Sequence, residues 1–195
     1  MTRRTKLIGG ALVAAILVGV VAVVAFIQLS GGQSEALPEA ETALVSDASV
    51  AVELEPWITL TPSERARTGF ILYPGARVDP AAYAPSARAI ADRGYLTVIV
   101  PMPFGIAALG ADKATDVMEA FPEVERWVVG GHSIGGAMAM QYTDDNVDRV
   151  AGVALWGAYP SPDDDLSTEP VLGVSVYASE DGLSTVEEIE DTAQY

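Results

Sequence analysis

The alternation of apolar and polar stretches along this chain predicts strands separated by helices. Short runs rich in β-branched residues predict six strands, at residues 57–60, 68–72, 96–100, 126–130, 150–156 and 171–178. Between the second and third runs, Asp79 and Pro80 predict a helix start and Gly94 predicts its end. Further helices are predicted at 113–121 and directly after residue 136. Strands that are apolar throughout are typical of a parallel sheet covered on both faces. The pattern therefore predicts a three-layer α/β fold with a mostly parallel sheet.

The start of the chain has a different pattern. Residues 8–27 form an apolar run long enough to cross a bilayer core of about 30 Å as a helix. Arg3, Arg4 and Lys6 precede the run, and the first acidic residue after it is Glu35. The positive-inside rule then predicts a cytoplasmic tail at 1–6, a transmembrane helix at 7–29 and a domain outside the cytoplasm, at the cell membrane. A cleaved signal peptide is the alternative, although its apolar region usually has only about 7–15 residues.

The rest of the chain divides into a tether and a domain. Residues 30–51 are rich in Gly, Ser, Ala and Glu, which predicts a tether. The domain is predicted at 52–195. After residue 178 the sequence is acidic and helix-like, and it predicts no further strand. We therefore expect an incomplete domain whose last predicted strand is a bare apolar edge, which favours aggregation.

The composition of the chain excludes several kinds of partner and functional site. The sequence has 11 Lys and Arg against 27 Asp and Glu, a net charge of −16, which argues against nucleic acid as a partner. With no cysteine and one histidine, disulfide frameworks, thiolate zinc sites, cysteine nucleophiles and sites that need two histidines are excluded within this chain. Neither a metal nor an organic cofactor is implied.

Residues 131–135, with the sequence GHSIG, fit the pattern G-x-S-x-G. A predicted strand precedes them and a small-residue helix follows. A serine on such a sharp turn needs small neighbours two positions away on either side. The turn exposes the hydroxyl of Ser133 and points the next backbone N–H, that of Ile134, at the same place. A glycine-rich turn without catalysis is the structural alternative.

Two segments together resemble a known family. YPGARVDPAAYAPSARAIADRGYLTVIVPMP and, further on, ERWVVGGHSIGGAMA are similar to the α/β-hydrolase superfamily, most of all to its dienelactone-hydrolase-like "fold-5" branch. The similarity covers about residues 56–181. It implies Ser133 as the nucleophile, with the N–H of Ile134 as one oxyanion donor. The second donor would be the N–H of Ala76 or its neighbour, after Tyr73-Pro74-Gly75.

The resemblance also implies a catalytic acid. Asp181 fits the family's turn G-x-x-D-G, with Ala178 in place of the first glycine, and Glu180 is the second choice. Some members place the acid one strand earlier, where residues 163–165 are all aspartate, but that run is interpreted as a solvated loop.

The sequence departs from the family pattern at the catalytic base. The family's triads run in the order Ser, Asp, His, yet His132 is the only histidine here and it adjoins the nucleophile. The resemblance therefore implies either a member truncated at its C-terminus or a degenerate one. The first is a membrane-anchored serine hydrolase acting on a small ester or related acyl compound. The second is a catalytically inactive, extracytoplasmic binding domain.

Overall fold

A seven-stranded sheet organises the part of the chain that the computed structural model describes, which is residues 34–161, 163–180, 186 and 190. The strands are β1 (Val50–Glu53), β2 (Ile58–Pro62), β3 (Thr68–Tyr73), β4 (Leu96–Ile99), β5 (Arg126–His132), β6 (Gly152–Trp156) and β7 (Leu172–Val176). The helices are α1 (Pro38–Ala43), α2 (Ala84–Ala91), α3 (Lys113–Ala120) and α4 (Ile134–Asp145). Short 3-10 helices lie at Pro80–Tyr83, Pro103–Gly105 and Ala107–Leu109.

The order across the sheet is β1-β2-β4-β3-β5-β6-β7. From β4 to β7 all neighbours are parallel, whereas β1 pairs antiparallel with β2 and β2 antiparallel with β4. The predicted, mostly parallel α/β sheet is confirmed. Since β3 and β5 pair in the middle and in parallel, their carboxyl ends lie side by side, with Tyr73 opposite Gly131.

Helices cover the middle of the sheet on both faces. On one face Val98 and Val129 pack in a core with side chains of α3 and α4, including Val117 and Ala139. On the other face Phe70, Leu72 and Ile99 pack with Ala87 and Ala91 of α2. Burial of apolar side chains on both faces explains why these strands are apolar at successive positions.

The helix predicted after Asp79 forms in two parts. The Asp79 side chain accepts a hydrogen bond from the N–H of Ala81 at 2.9 Å and caps a 3-10 turn that starts at Pro80. The α-helix proper begins at Ala84, with Pro85 in its first turn. Gly94 follows its end with φ +88°, a left-handed conformation that favours glycine.

The segment predicted as a tether differs from that prediction in its described part. Residues 38–43 form α1, and the sheet begins at Val50 rather than beyond residue 52. Asp47 holds this turn by accepting hydrogen bonds from Ser49 and from the N–H of Val50, which lower its pKa to about 2. Arg88 of α2 pairs with Asp47 and donates to the carbonyl of Val45 at 2.7 Å. A local glycine- and serine-rich composition gives no sign of such a distant partner.

Several predicted features lie outside the described residues. They are the cytoplasmic tail 1–6, the transmembrane helix 7–29, the start of the tether at 30–33, and Asp181. Among the residues that are described, no helix has the length and apolar character that a bilayer crossing requires.

Within the described part, β7 is the edge strand and its side chains are exposed. Leu172, Val174 and Val176 are 81%, 55% and 56% exposed. Together with Val128 and Trp156, Leu172 and Val174 line a groove of about 560 Å³ on the sheet face that α2 covers only in part. One side of the sheet therefore presents apolar surface to its surroundings.

The exposure of β7 can be tested with one substitution made at two sites. Val174→Thr should leave the free energy of unfolding within about 0.5 kcal/mol of the original, because its hydroxyl meets water. Val129→Thr places the same hydroxyl in the core, where Val129 is fully buried, and should cost roughly 1–3 kcal/mol. Urea denaturation measures both, and Val174→Thr should also reduce the binding of the hydrophobic dye ANS. Equal destabilisation by the two changes would show that β7 is covered in solution.

Candidate active site

The turn between β5 and α4 holds Ser133 in a strained backbone conformation. Its φ of 53° and ψ of −130° are rare for a residue with a side chain. The N–H of Ser133 donates to the carbonyl of Trp156 at 3.0 Å, which ties the turn to the end of β6. The side chain is exposed and makes no capping hydrogen bond to α4. The hydroxyl of Ser133 therefore faces solvent and does not cap the helix that follows.

Glycines flank Ser133 because no other residue fits. A Cβ atom on Gly131 would lie 2.4 Å from the carbonyl carbon of Gly135. One on Gly135 would lie 2.3 Å from the carbonyl oxygen of Tyr73 and 2.4 Å from that of Pro74. The second pair of distances also shows that the loop after β3 packs directly against the turn that carries Ser133.

The N-terminus of α4 supplies one free backbone donor. Ile134 is the first helical residue, and its N–H has no acceptor among the described residues. N–H groups in the first turn of a helix lack intrahelical partners, and the helix dipole favours negative charge beside them. This donor follows Ser133 directly, so it is placed to bind a negatively charged oxygen beside the Ser133 hydroxyl.

The loop after β3 supplies a second free donor, at Ala76. Of the five consecutive N–H groups in residues 75–79, only that of Ala76 has no acceptor in the described part of the chain. The other four bonds are Gly75 to Tyr83 Oη (2.9 Å), Arg77 to Gly105 O (2.8 Å), Val78 to Gly75 O (3.2 Å) and Asp79 to Ser34 O (3.0 Å). Ala76 is also exposed, with a bonded neighbour on each side.

His132 points its Nδ1 at Tyr83, at 3.0 Å from the hydroxyl oxygen. Tyr83 is half-buried, and burial raises the pKa of its hydroxyl, although the hydrogen bond from Gly75 acts in the opposite direction. The sequence pattern gave no indication of Tyr83, because it lies on the 3-10 helix of another loop, 49 residues before His132. Only the fold brings the two side chains together.

Of the acidic residues, Asp181 lies outside the described part and Glu180 is exposed. The interpretation of residues 163–165 as a solvated loop is wrong for Asp164, which is 6% exposed. Its carboxylate accepts the N–H of Ser161 at 3.0 Å, and burial raises its pKa. Asp163 and Asp165 are exposed, as expected. The described residues contain no group of three acidic or histidine side chains that could hold a metal ion.

Comparison with known proteins gives a consistent result. A sequence model of the alpha/beta hydrolase family matches residues 69–195. Comparison with curated protein sequences finds no match. A candidate dienelactone hydrolase from Klebsiella pneumoniae superposes with a TM-score of 0.53 at 14% identity, covering 71% of this chain and 72% of its own. A candidate alpha/beta hydrolase of Agrobacterium tumefaciens gives 0.53 at 17% identity, covering 73% and 76%.

The likeness to a third structure is more limited. For a metagenome-derived lipolytic enzyme the TM-score is 0.41 at 22% identity, and 50% of this chain is covered. The chain spans 46% of that enzyme's length.

The packing at the turn predicts the effect of adding a single methyl group. Gly135→Ala should destabilise the protein by about 1–3 kcal/mol, because its Cβ would overlap the backbone of Tyr73 and Pro74 and force that loop to move. Gly173→Ala is the matched control, since the nearest atom to its Cβ is 3.9 Å away, and it should be neutral or slightly stabilising. Thermal or urea unfolding compares the two, and an unaltered stability of Gly135→Ala would contradict the described packing.

Proposed function

The chain belongs to the alpha/beta hydrolase family, and from that premise we propose that it is a serine hydrolase of small carboxylic esters or related acyl compounds. Ser133 is the proposed nucleophile. One observation carries the proposal: the exposed hydroxyl of Ser133 lies on a strained turn that is packed against the loop of Ala76 and followed by the free N–H of Ile134.

The proposed reaction proceeds through an acyl-enzyme. The Oγ of Ser133 forms a bond to the carbonyl carbon of the ester and gives up its proton to a base. The carbonyl oxygen becomes an oxyanion, which accepts hydrogen bonds from the N–H groups of Ile134 and Ala76. Collapse of this intermediate breaks the bond to the alcohol, which leaves with the proton. Water then hydrolyses the acyl-serine by the same route.

The base that accepts the Ser133 proton is a separate part of the proposed mechanism. His132 is the one histidine of the 195 residues, and its Nδ1 lies at hydrogen-bonding distance from Tyr83. We therefore propose that His132 is not the base and that Asp181 orients the group that accepts the Ser133 proton. Without a base, the Ser133 hydroxyl is a weak nucleophile at neutral pH.

A fluorophosphonate probe tests the nucleophile. With imidazole added as an external base, the protein should become covalently labelled, and Ser133→Ala should lose that labelling by at least about a hundredfold. Ser86→Ala is the control, because Ser86 is an exposed serine on α2 and should be labelled like the unaltered protein. Without imidazole, labelling and turnover of a p-nitrophenyl ester should not exceed those of Ser133→Ala. Equal labelling with and without Ser133 would instead favour a binding domain that has no catalytic activity.

We also propose that residues 7–29 anchor the protein in the membrane with the hydrolase domain outside the cytoplasm. The support is the uncharged apolar run with Arg3, Arg4 and Lys6 on one side. The domain that follows is strongly acidic, which favours its separation from anionic lipid headgroups.

Protease accessibility tests this topology. Protease added to intact spheroplasts should digest the domain after residue 30, and a reporter fused before residue 1 should be protected. Protection of the domain together with digestion of the reporter would reverse the orientation.

A further inference from the structure

The lone histidine adjoins the proposed nucleophile, yet its contacts tie it to a different part of the site. The N–H of Gly75 donates to the Tyr83 hydroxyl oxygen at 2.9 Å, and that oxygen lies 3.0 Å from Nδ1 of His132. The two rings are tilted, with centroids 6.0 Å apart. Two hydrogen bonds thus join the end of β5 to two residues of the connection between β3 and α2.

The hydrogen bond between Tyr83 and His132 allows either group to donate, and we assign the arrangement in which Tyr83 donates its hydroxyl proton. Gly75 contributes an N–H, so the Tyr83 oxygen accepts at that bond. The hydroxyl proton of Tyr83 then has one acceptor among the described residues, Nδ1 of His132. A neutral imidazole that accepts at Nδ1 carries its own proton on Nε2. In this tautomer neither ring nitrogen has a lone pair available for the proton of Ser133.

The same bonds fix the loop that carries the free donor. Gly75 is held by Tyr83 on one side of Ala76, and Arg77 is held by the carbonyl of Gly105 on the other. The fit around Gly75 is tight, because a Cβ there would lie 2.6 Å from Nδ1 of His132. With both neighbours anchored, the N–H of Ala76 is left free in a fixed place.

We propose that His132 and Tyr83 are positioning residues, which hold the N–H of Gly75 so that the N–H of Ala76 is directed at the oxyanion. This inference rests on the proposed function, and it assigns the histidine a role other than that of the base. An oxyanion donor contributes about a hundredfold to a thousandfold in rate, and it acts only when it is held in place before reaction. Loosening the loop should remove part of that contribution.

The two hydrogen bonds that join Gly75, Tyr83 and His132 are called the relay below. The rate of Ser133 labelling by the fluorophosphonate, with imidazole present, tests the relay through two substitutions. Tyr83→Phe keeps the ring and removes the hydroxyl, and it should lower the maximal rate of inactivation about tenfold while the affinity for the probe stays the same. His132→Leu should have the same effect, and the double variant should be no slower than either single one, since both break one relay.

A conservative variant separates positioning from general-base catalysis. His132→Asn places an amide oxygen close to where Nδ1 lies, so it can still accept the Tyr83 proton and should restore most of the rate lost in His132→Leu. A base role for His132 predicts instead that the unaltered protein is labelled without imidazole and that the Asn and Leu variants both lose this labelling, and that result would overturn the proposal.

NMR of the single imidazole tests the hydrogen bonds independently of activity. In the unaltered protein, 15N spectra should show one tautomer, protonated on Nε2, and Tyr83→Phe should shift the Nδ1 signal and admit the other tautomer. A proton found on Nδ1 of neutral His132 would overturn the relay. If the unaltered protein is not labelled at Ser133 at all, the proposed function fails together with the catalytic role of the relay, while NMR still decides whether the hydrogen bonds exist.

Discussion

The backbone at Ser133 imposes the constraint on which the rest of the site depends. A residue with a side chain held at φ 53° costs of order 1–3 kcal/mol, so the surrounding structure must fix it. It is fixed on one side by the carbonyl of Trp156 and on the other by the close approach of Gly135 to the loop after β3. Because the paired ends of β3, β5 and β6 supply both contacts, the site requires the parallel centre of the sheet to be in place.

In the loop after β3, which packs against that turn, some backbone N–H groups are hydrogen-bonded and one is free. Gly75 and Arg77 donate to protein acceptors, while Ala76 between them has none among the residues that the structure describes. A free N–H beside anchored ones loses little entropy when it binds an anion, which is what preorganisation requires. The acceptor that anchors Gly75 is a tyrosine whose hydroxyl oxygen lies 3.0 Å from Nδ1 of His132, so the conformation of the loop depends on side chains as well as on backbone.

The two ends of the sheet differ in how they are covered. β3 is almost entirely buried and β5 is mostly buried or half-buried, whereas β7 exposes Leu172, Val174 and Val176. Ser133 and the proposed oxyanion donors, Ile134 and Ala76, lie just after the carboxyl ends of β5 and β3. Two acidic residues considered for the catalytic acid lie near the exposed β7 edge of the sheet. Glu180 follows β7, and the buried Asp164 lies in the loop between β6 and β7. The proposed nucleophile and oxyanion donors therefore follow the better-buried strands of the sheet.

The sequence by itself determined the features that short-range physics controls. The apolar runs predicted the parallel strands, Asp79 and Gly94 predicted a capped start and a left-handed stop, and the small residues around Ser133 predicted the sharp turn. These signals are local because they arise from φ/ψ limits, capping and periodic burial. Tertiary structure alone decided which distant groups meet. The ordering of β1 through Asp47 and Arg88, the burial of Asp164, and the contact of Tyr83 with His132 each join segments whose own sequences carry no sign of the partner, because a hydrogen bond across a fold is set by packing rather than by spacing along the chain.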